Sequence, residues 1–159
     1  QKGKIMKYLI MAVICLGILS TGVHAMIETL NLDELVGRSE MVVAGKVTAI
    51  KPVPRTPETA AIYADLPEQL TFLDNEIEVA ESHKGSLKAG DKLSIRTLSG
   101  FEDSTTFAAD CTYLLFLVTR EGQYEVVNTP QGCWPVEEDG KFGGMGFETT
   151  LDQVKAAIK

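Results

Sequence analysis

Histidine, cysteine and tryptophan are scarce in this 159-residue chain, which has two His, three Cys and one Trp. A tetrahedral zinc site needs four thiolate or imidazole ligands, and this supply is too small to provide them. No G-x-S-x-G motif and no EF-hand spacing occurs, and the acidic run Glu137-Glu138-Asp139 is typical of a solvated turn. We therefore expect neither a metal nor a cofactor.

Basic residues are outnumbered, with 15 Lys and Arg against 22 Asp and Glu, for a net charge of -7. Binding to nucleic acid needs a basic face that neutralises phosphates, so the charge balance argues against a nucleic-acid partner. It also disfavours attachment to anionic membrane surfaces. A protein or a small molecule remains as the expected partner.

Long apolar runs are absent except for one short run at residues 8–19, which follows Lys7 and precedes the small residues that end at Ala25. This layout predicts a signal peptide over residues 1–25, with residues 1–5 as an upstream extension. The run is short for a membrane span, although a retained N-terminal anchor is the alternative. Cleavage after Ala25 would leave one domain, residues 26–159, in a secreted or periplasmic protein.

The rest of the chain alternates in the manner of a mainly β protein. The pattern predicts a small antiparallel OB-like barrel of five to seven strands, between a short helix capped by Asn31 and a C-terminal helix capped by Thr150. Gly45, within the first strand, indicates a bend or bulge. The segment 111–120 is apolar on both faces and should be the most buried strand. The predicted strands are 40–50, 71–85, 91–100, 111–120, 123–129 and a last hairpin over 134–144.

A long loop at residues 51–69 contains four prolines, which forbid a continuous strand or helix. Loops of this length are often functional, and we expect this one to bind a partner through Arg55 and Tyr63, with Trp134 as a further candidate. We also expect it to be dispensable for stability. A second polar loop, which holds Glu102 and Asp103, is interpreted as solvated.

Two cysteines, Cys111 and Cys133, remain beyond the predicted cleavage site, and an even number in an exported chain favours a disulfide. If Arg120 lies opposite Tyr124 in a hairpin, paired residue numbers sum to 244, and the two cysteines face each other. The alternative is a catalytic thiol at Cys133, which would need a base, and His83 is the one imidazole available there.

Three stretches together resemble a group of uncharacterised exported bacterial β-barrel domains. They are LDELVGRSEMVVAGKVTAI, EIEVAESHKGSLKAGDKLSIRTLSG and CTYLLFLVTREGQYEVVNTPQGCWPV, which span residues 32–136. More distantly, the chain is similar to the netrin-like modules of tissue metalloproteinase inhibitors, which are OB-type barrels. The resemblance implies a fold and an exported location. It does not imply the inhibitor mechanism, because the predicted mature terminus is Met26 rather than cysteine.

These observations favour an exported, non-enzymatic binding or interaction module. A thiol-dependent enzyme that uses Cys133 and a protease-inhibitor-like protein that inserts a loop are the alternatives.

Overall fold

The computed structural model describes residues 28–101 and 103–158, so the predicted signal peptide lies outside the described residues. The described part contains six strands, three α-helices and one short 3-10 helix. In chain order these are α1 (Leu32–Arg38), β1 (Met41–Pro52), α2 (Ala60–Tyr63), β2 (Thr71–Lys84), β3 (Lys92–Ser99), β4 (Thr112–Arg120), β5 (Gln123–Val126), β6 (Cys133–Val136), the 3-10 helix (Gly144–Gly146) and α3 (Leu151–Ala157).

Strands β1 to β5 form a closed barrel in the order β1-β2-β3-β5-β4, with β4 pairing back onto β1 and β6 added along β4. The mainly β fold, the small OB-like barrel and its two flanking helices are therefore confirmed. The expectation of a wholly antiparallel barrel is wrong at one place. A ring of five strands cannot alternate direction throughout, so β3 and β5 run parallel, and they pair only through Ile95 and Tyr124.

Gly45 marks a bulge in β1, as predicted. The register of β1 against β2 shifts between Ala44 and Gly45. A Cβ atom at Gly45 would lie 2.6 Å from Cγ2 of Ile77, so only glycine lets the two strands approach this closely. The bulge bends β1, which is long enough to pair with β2 on one side and β4 on the other.

The domain has two apolar cores, one on each face of β4. The barrel interior packs inward-facing side chains such as Val43, Ile77 and Leu115. The second core lies outside the barrel, where α1 and α3 cover Phe116 and Trp134. Because β4 contributes to both cores, it is apolar on both faces, which confirms the prediction for residues 111–120.

Both helices over the second core begin with a capping box. Asn31 accepts a hydrogen bond from the backbone N–H of Glu34, and Thr150 accepts one from Gln153, with the reciprocal bond present in each case. Lys84 donates from Nζ to the carbonyls of Val36 (2.8 Å) and Ser39 (2.7 Å) at the end of α1. The caps were predictable from sequence, whereas the lysine comes from a distant strand.

Residues 127–132 form a turn between β5 and β6, and this corrects the predicted register. The end residues Val127 and Gly132 both bond to the backbone of Phe116, so residues 128–131 are the ones that leave the ladder. Paired residue numbers sum to 243 between β4 and β5 but to 248 between β4 and β6. The loop is held by Gln131, which binds the backbone of Leu30 through both amide atoms at 2.9 and 2.5 Å. The predicted strand 123–129 therefore ends at Val126.

Candidate functional site

Arg55 and Tyr63 lie together in the loop at residues 53–70, where they bind the loop to itself. The Arg55 guanidinium carbon lies 4.2 Å from the centre of the Tyr63 ring. Arg55 donates to the carbonyls of Pro67 (2.8 Å) and Leu70 (3.0 Å). The Tyr63 hydroxyl donates to the Val53 carbonyl at 2.6 Å, and the side chain is 5% exposed. These contacts are structural, so the expectation that the loop is dispensable for stability conflicts with the geometry.

Trp134 is separated from that loop and lies in the second core, 3% exposed. The centre of its ring lies 4.8 Å from that of Phe116 and 5.5 Å from that of Phe142. Its indole N–H donates to the Gln131 carbonyl at 2.6 Å. A Cβ atom on Gly146 would lie 2.4 Å from the indole, so the backbone there rests on the ring. Trp134 is therefore occupied within the protein and does not form a binding face with Arg55 and Tyr63.

Cys111 and Cys133 are both free thiols, and the predicted disulfide is absent. Cys133 pairs with Leu115, four residues from Cys111. Four residues of strand span about 13 Å, roughly twice the Cα separation that a disulfide tolerates. The looped-out segment 128–131 is the physical reason, because it displaces Cys133 along β4.

Cys133 is also a poor nucleophile in this position. It is buried in the barrel interior, and burial raises the pKa of its thiol to about 12. Val43 of β1 pairs with Ser82 beside His83, and with Leu115, which pairs in turn with Cys133. Two strands thus intervene between them, and the thiol lies in the barrel interior, whereas His83 lines a surface depression together with Lys155 and Ile158. The two residues are not brought together.

We predict that the chain from residue 26 onwards has one reactive thiol when folded and two when denatured. Cys111 is exposed, whereas Cys133 is buried and protonated at neutral pH, so iodoacetamide at pH 8 should modify only Cys111 until denaturant is added. Intact mass spectrometry of unreduced protein counts the adducts. A denatured sample with no reactive thiol would contradict this prediction and support the Cys111–Cys133 disulfide instead.

A pocket of about 330 Å³ opens at the seam where β3 and β5 diverge beyond their single paired position. We call it the seam pocket. Its walls are the ends of β2 and β3, Phe101 and residues 103–105 of the following loop, and the segment from β5 to Thr129. Its lining residues are Phe72, Ile95, Arg96, Thr97, Leu98, Phe101, Asp103, Ser104, Thr105, Glu125, Val126 and Thr129.

Two buried polar groups with incomplete hydrogen bonds lie in or next to the seam pocket: Thr105 belongs to its lining, and Asn75 binds two residues of that lining. Asn75, 1% exposed, donates from its side-chain amide to the Ile95 carbonyl (2.9 Å) and to the Thr97 hydroxyl (3.0 Å). Its Oδ1 atom has no partner among the described residues, nor has the hydroxyl of Thr105, which is 3% exposed. A buried polar atom without a partner is costly, so these two groups indicate space for a further hydrogen-bonding species.

Charged side chains surround the outer end of the pocket, and most of them are paired. Arg96 binds Asp74 through two bonds of 2.7 and 2.9 Å, which raises the pKa of the guanidinium. Arg120 lies 3.4 Å from Glu125. Asp103 forms no ion pair with any described residue. Each charge on Arg96 and Glu125 is therefore compensated, and Asp103 leaves the rim with one surplus negative charge.

Two sequence features point to part of this region. Asn75 occupies an inward position between Leu73 and Ile77, and a polar residue there is unusual for a barrel strand. The loop with Glu102 and Asp103 was interpreted as solvated, and Asp103 is exposed, whereas Glu102 lies outside the described residues. Thr105 and Phe107, further along the loop, are buried. Only the pairing of β3 with β5 brings this loop close to Thr129.

A larger cleft, about 780 Å³, lies between α1 and α3, but its lining residues are mostly exposed. No group of three or more His, Cys, Asp or Glu residues that could hold a metal ion occurs within the described residues. Across the same residues, no helix has both the length and the apolar character needed to cross a membrane.

No family model matches the chain, and a search of the curated proteins finds no significant match.

Proposed function

We propose that the protein is an exported, non-enzymatic binding module whose ligand occupies the seam pocket. The observation that carries the proposal is the buried, unpartnered Thr105 hydroxyl in the lining of a pocket that is otherwise largely apolar. Ligand sites of this kind combine apolar walls with a few polar groups that fix orientation. Export and the relationship to netrin-like modules stay predictions from the sequence.

The position of the pocket in the barrel supports this assignment. OB-type barrels bind ligands on the face of strands 2 and 3, between the loops that follow strands 1 and 4. A shallow depression of about 510 Å³ adjoins the seam pocket and shares Phe72, Arg96 and Glu125 with it. Ile62, from the loop after β1, lines this depression, so the loop borders the proposed ligand face even though Arg55 and Tyr63 are engaged internally.

The two alternatives draw less support from the geometry. A thiol enzyme needs a thiolate and a nearby base, but Cys133 holds its proton to about pH 12 and lies far from His83. An inhibitor that inserts a loop needs an extended, accessible segment. The loop at residues 53–70 is instead folded onto Tyr63, whose hydroxyl also accepts from the backbone of Phe72 at 3.1 Å.

A fragment screen tests the proposal. Ligand-observed NMR should find small apolar fragments that bind the wild-type protein and are lost in Leu98→Trp, because the indole would fill the pocket beside this half-buried residue. Leu32→Trp is the matched control, since Leu32 is half-buried on α1 outside the pocket, and it should retain the fragments. Fragments that bind Leu98→Trp as well as wild type would refute the seam pocket as the site.

A further inference from the structure

We infer that the ligand of the seam pocket is a small organic cation, a protonated amine carried on an apolar body. The inference rests on the proposed function and names the class of ligand. The apolar body is indicated by Phe72, Leu98, Phe101 and Val126, which contribute rings and aliphatic groups to the walls. A volume of about 330 Å³ suits a molecule the size of an arylalkylamine or one amino-acid side chain.

The charge of the site selects a cation. Asp103 is exposed at the rim and has no ionic partner within the described residues. The whole chain carries a net charge of -7, so its field also attracts cations. An ammonium group beside Asp103 would complete an ion pair that the protein leaves open.

An anionic ligand would meet a different situation. Arg96 is the cationic side chain in the pocket lining, and both bonds of its fork are taken by Asp74. A carboxylate or phosphate would have to displace Asp74 from a bidentate pair, which is among the stronger side-chain interactions. Arg96 therefore forms a neutral wall and does not attract anions.

Phe101 supplies a second feature that favours a cation. Its side chain is 56% exposed, and it lies two residues before Asp103 in the same loop. An aromatic face attracts an ammonium group when the two are close, because the ring carries negative charge density on its face. Phe101 and Asp103 both line the pocket, so the site offers an exposed phenyl ring and a carboxylate with no ionic partner among the described residues, the two groups that amine recognition uses.

Thr105 adds a buried polar group to the lining of the site. Its hydroxyl is buried and has no hydrogen-bond partner among the described residues, and the same is true of Oδ1 of Asn75. A hydroxyl can donate or accept, so it can meet an amine N–H or a polar substituent on the ligand. This group makes the pocket more than an apolar depression with an acid at its rim.

Titration with three probes of similar size tests the inference. They are 2-phenylethylamine, the neutral 2-phenylethanol and the anionic 3-phenylpropionate, added to 15N-labelled protein at neutral pH. The amine should bind with a millimolar dissociation constant and shift the amide signals of Thr97, Thr105 and Val126. The alcohol should bind several-fold more weakly, and the carboxylate should not bind at the seam.

Asp103→Asn should weaken the amine by roughly fivefold and leave the alcohol unchanged, whereas Asp33→Asn, an exposed control on α1, should change neither. Equal binding of all three probes at the seam would overturn the amine class while the pocket stands as a ligand site. Shifts confined to another surface would overturn the inference. If Leu98→Trp blocks fragment binding but the fragments show no preference for amines, the amine class would likewise be overturned while the pocket stands as a ligand site.

Discussion

Phe116→Ala should lower the free energy of unfolding by about 4 kcal/mol. The Phe116 ring is fully buried between β4 and the helices, and it packs 4.8 Å from Trp134. Its backbone pairs with Gly132 and Val127, so truncation removes the ring and leaves the ladder in place. The expected loss of stability has two parts. One is the hydrophobic free energy of burying the ring, and the other is the cost of the cavity that its removal leaves.

Chemical denaturation of the two proteins measures this difference. Phe147→Ala is the control, because Phe147 is 73% exposed, and it should change stability by less than about 0.5 kcal/mol. The comparison tests the second core specifically. A loss below about 1 kcal/mol at Phe116 would mean that α1 and α3 do not pack against β4 as described.

Gly132→Ala should destabilise the protein by about 3 kcal/mol. An added Cβ atom would lie 2.4 Å from the Val127 carbonyl oxygen and 3.2 Å from that of Phe116. Both neighbours are backbone atoms, and the Phe116 carbonyl accepts a hydrogen bond from the Val127 N–H, so neither can move cheaply. The substitution also strains the loop in which Gln131 binds Leu30.

Gly37→Ala provides the matched control for this clash. Gly37 lies within α1, where a Cβ atom would meet nothing within 4 Å. Alanine favours helix more than glycine by up to about 1 kcal/mol, so this variant should be slightly more stable than wild type. Thermal or urea unfolding of both variants gives opposite signs if the description of the 127–132 segment is correct. Equal, small effects would contradict it.

Local patterns in the sequence were sufficient to predict the main elements of the barrel. Gly45 predicted the bulge, the apolar run of β4 predicted a strand buried on both faces, and the residue spacing at Asn31 and Thr150 predicted the two caps. Each of these features depends on residues a few positions apart. Such features follow from strand and helix periodicity alone.

Features that depend on distant residues were not predictable in the same way. The predicted disulfide was wrong because the length of the loop between β5 and β6 sets the register, and no local signal shows that residues 128–131 leave the ladder. Trp134 was a further candidate for the binding face, but Gly146 and Phe142 pack onto its ring. The seam pocket arises where a five-stranded ring must include one parallel pair, which is a property of the whole barrel.

The central claim is that a ligand enters the barrel seam between β3 and β5. Intermolecular nuclear Overhauser effects from bound 2-phenylethylamine test it most directly, because they report which protein protons lie next to the ligand. We predict contacts to the ring protons of Phe72 and Phe101 and to the methyl groups of Val126. Contacts only to residues of the cleft between α1 and α3, such as Leu32 and Ala156, would contradict the claim.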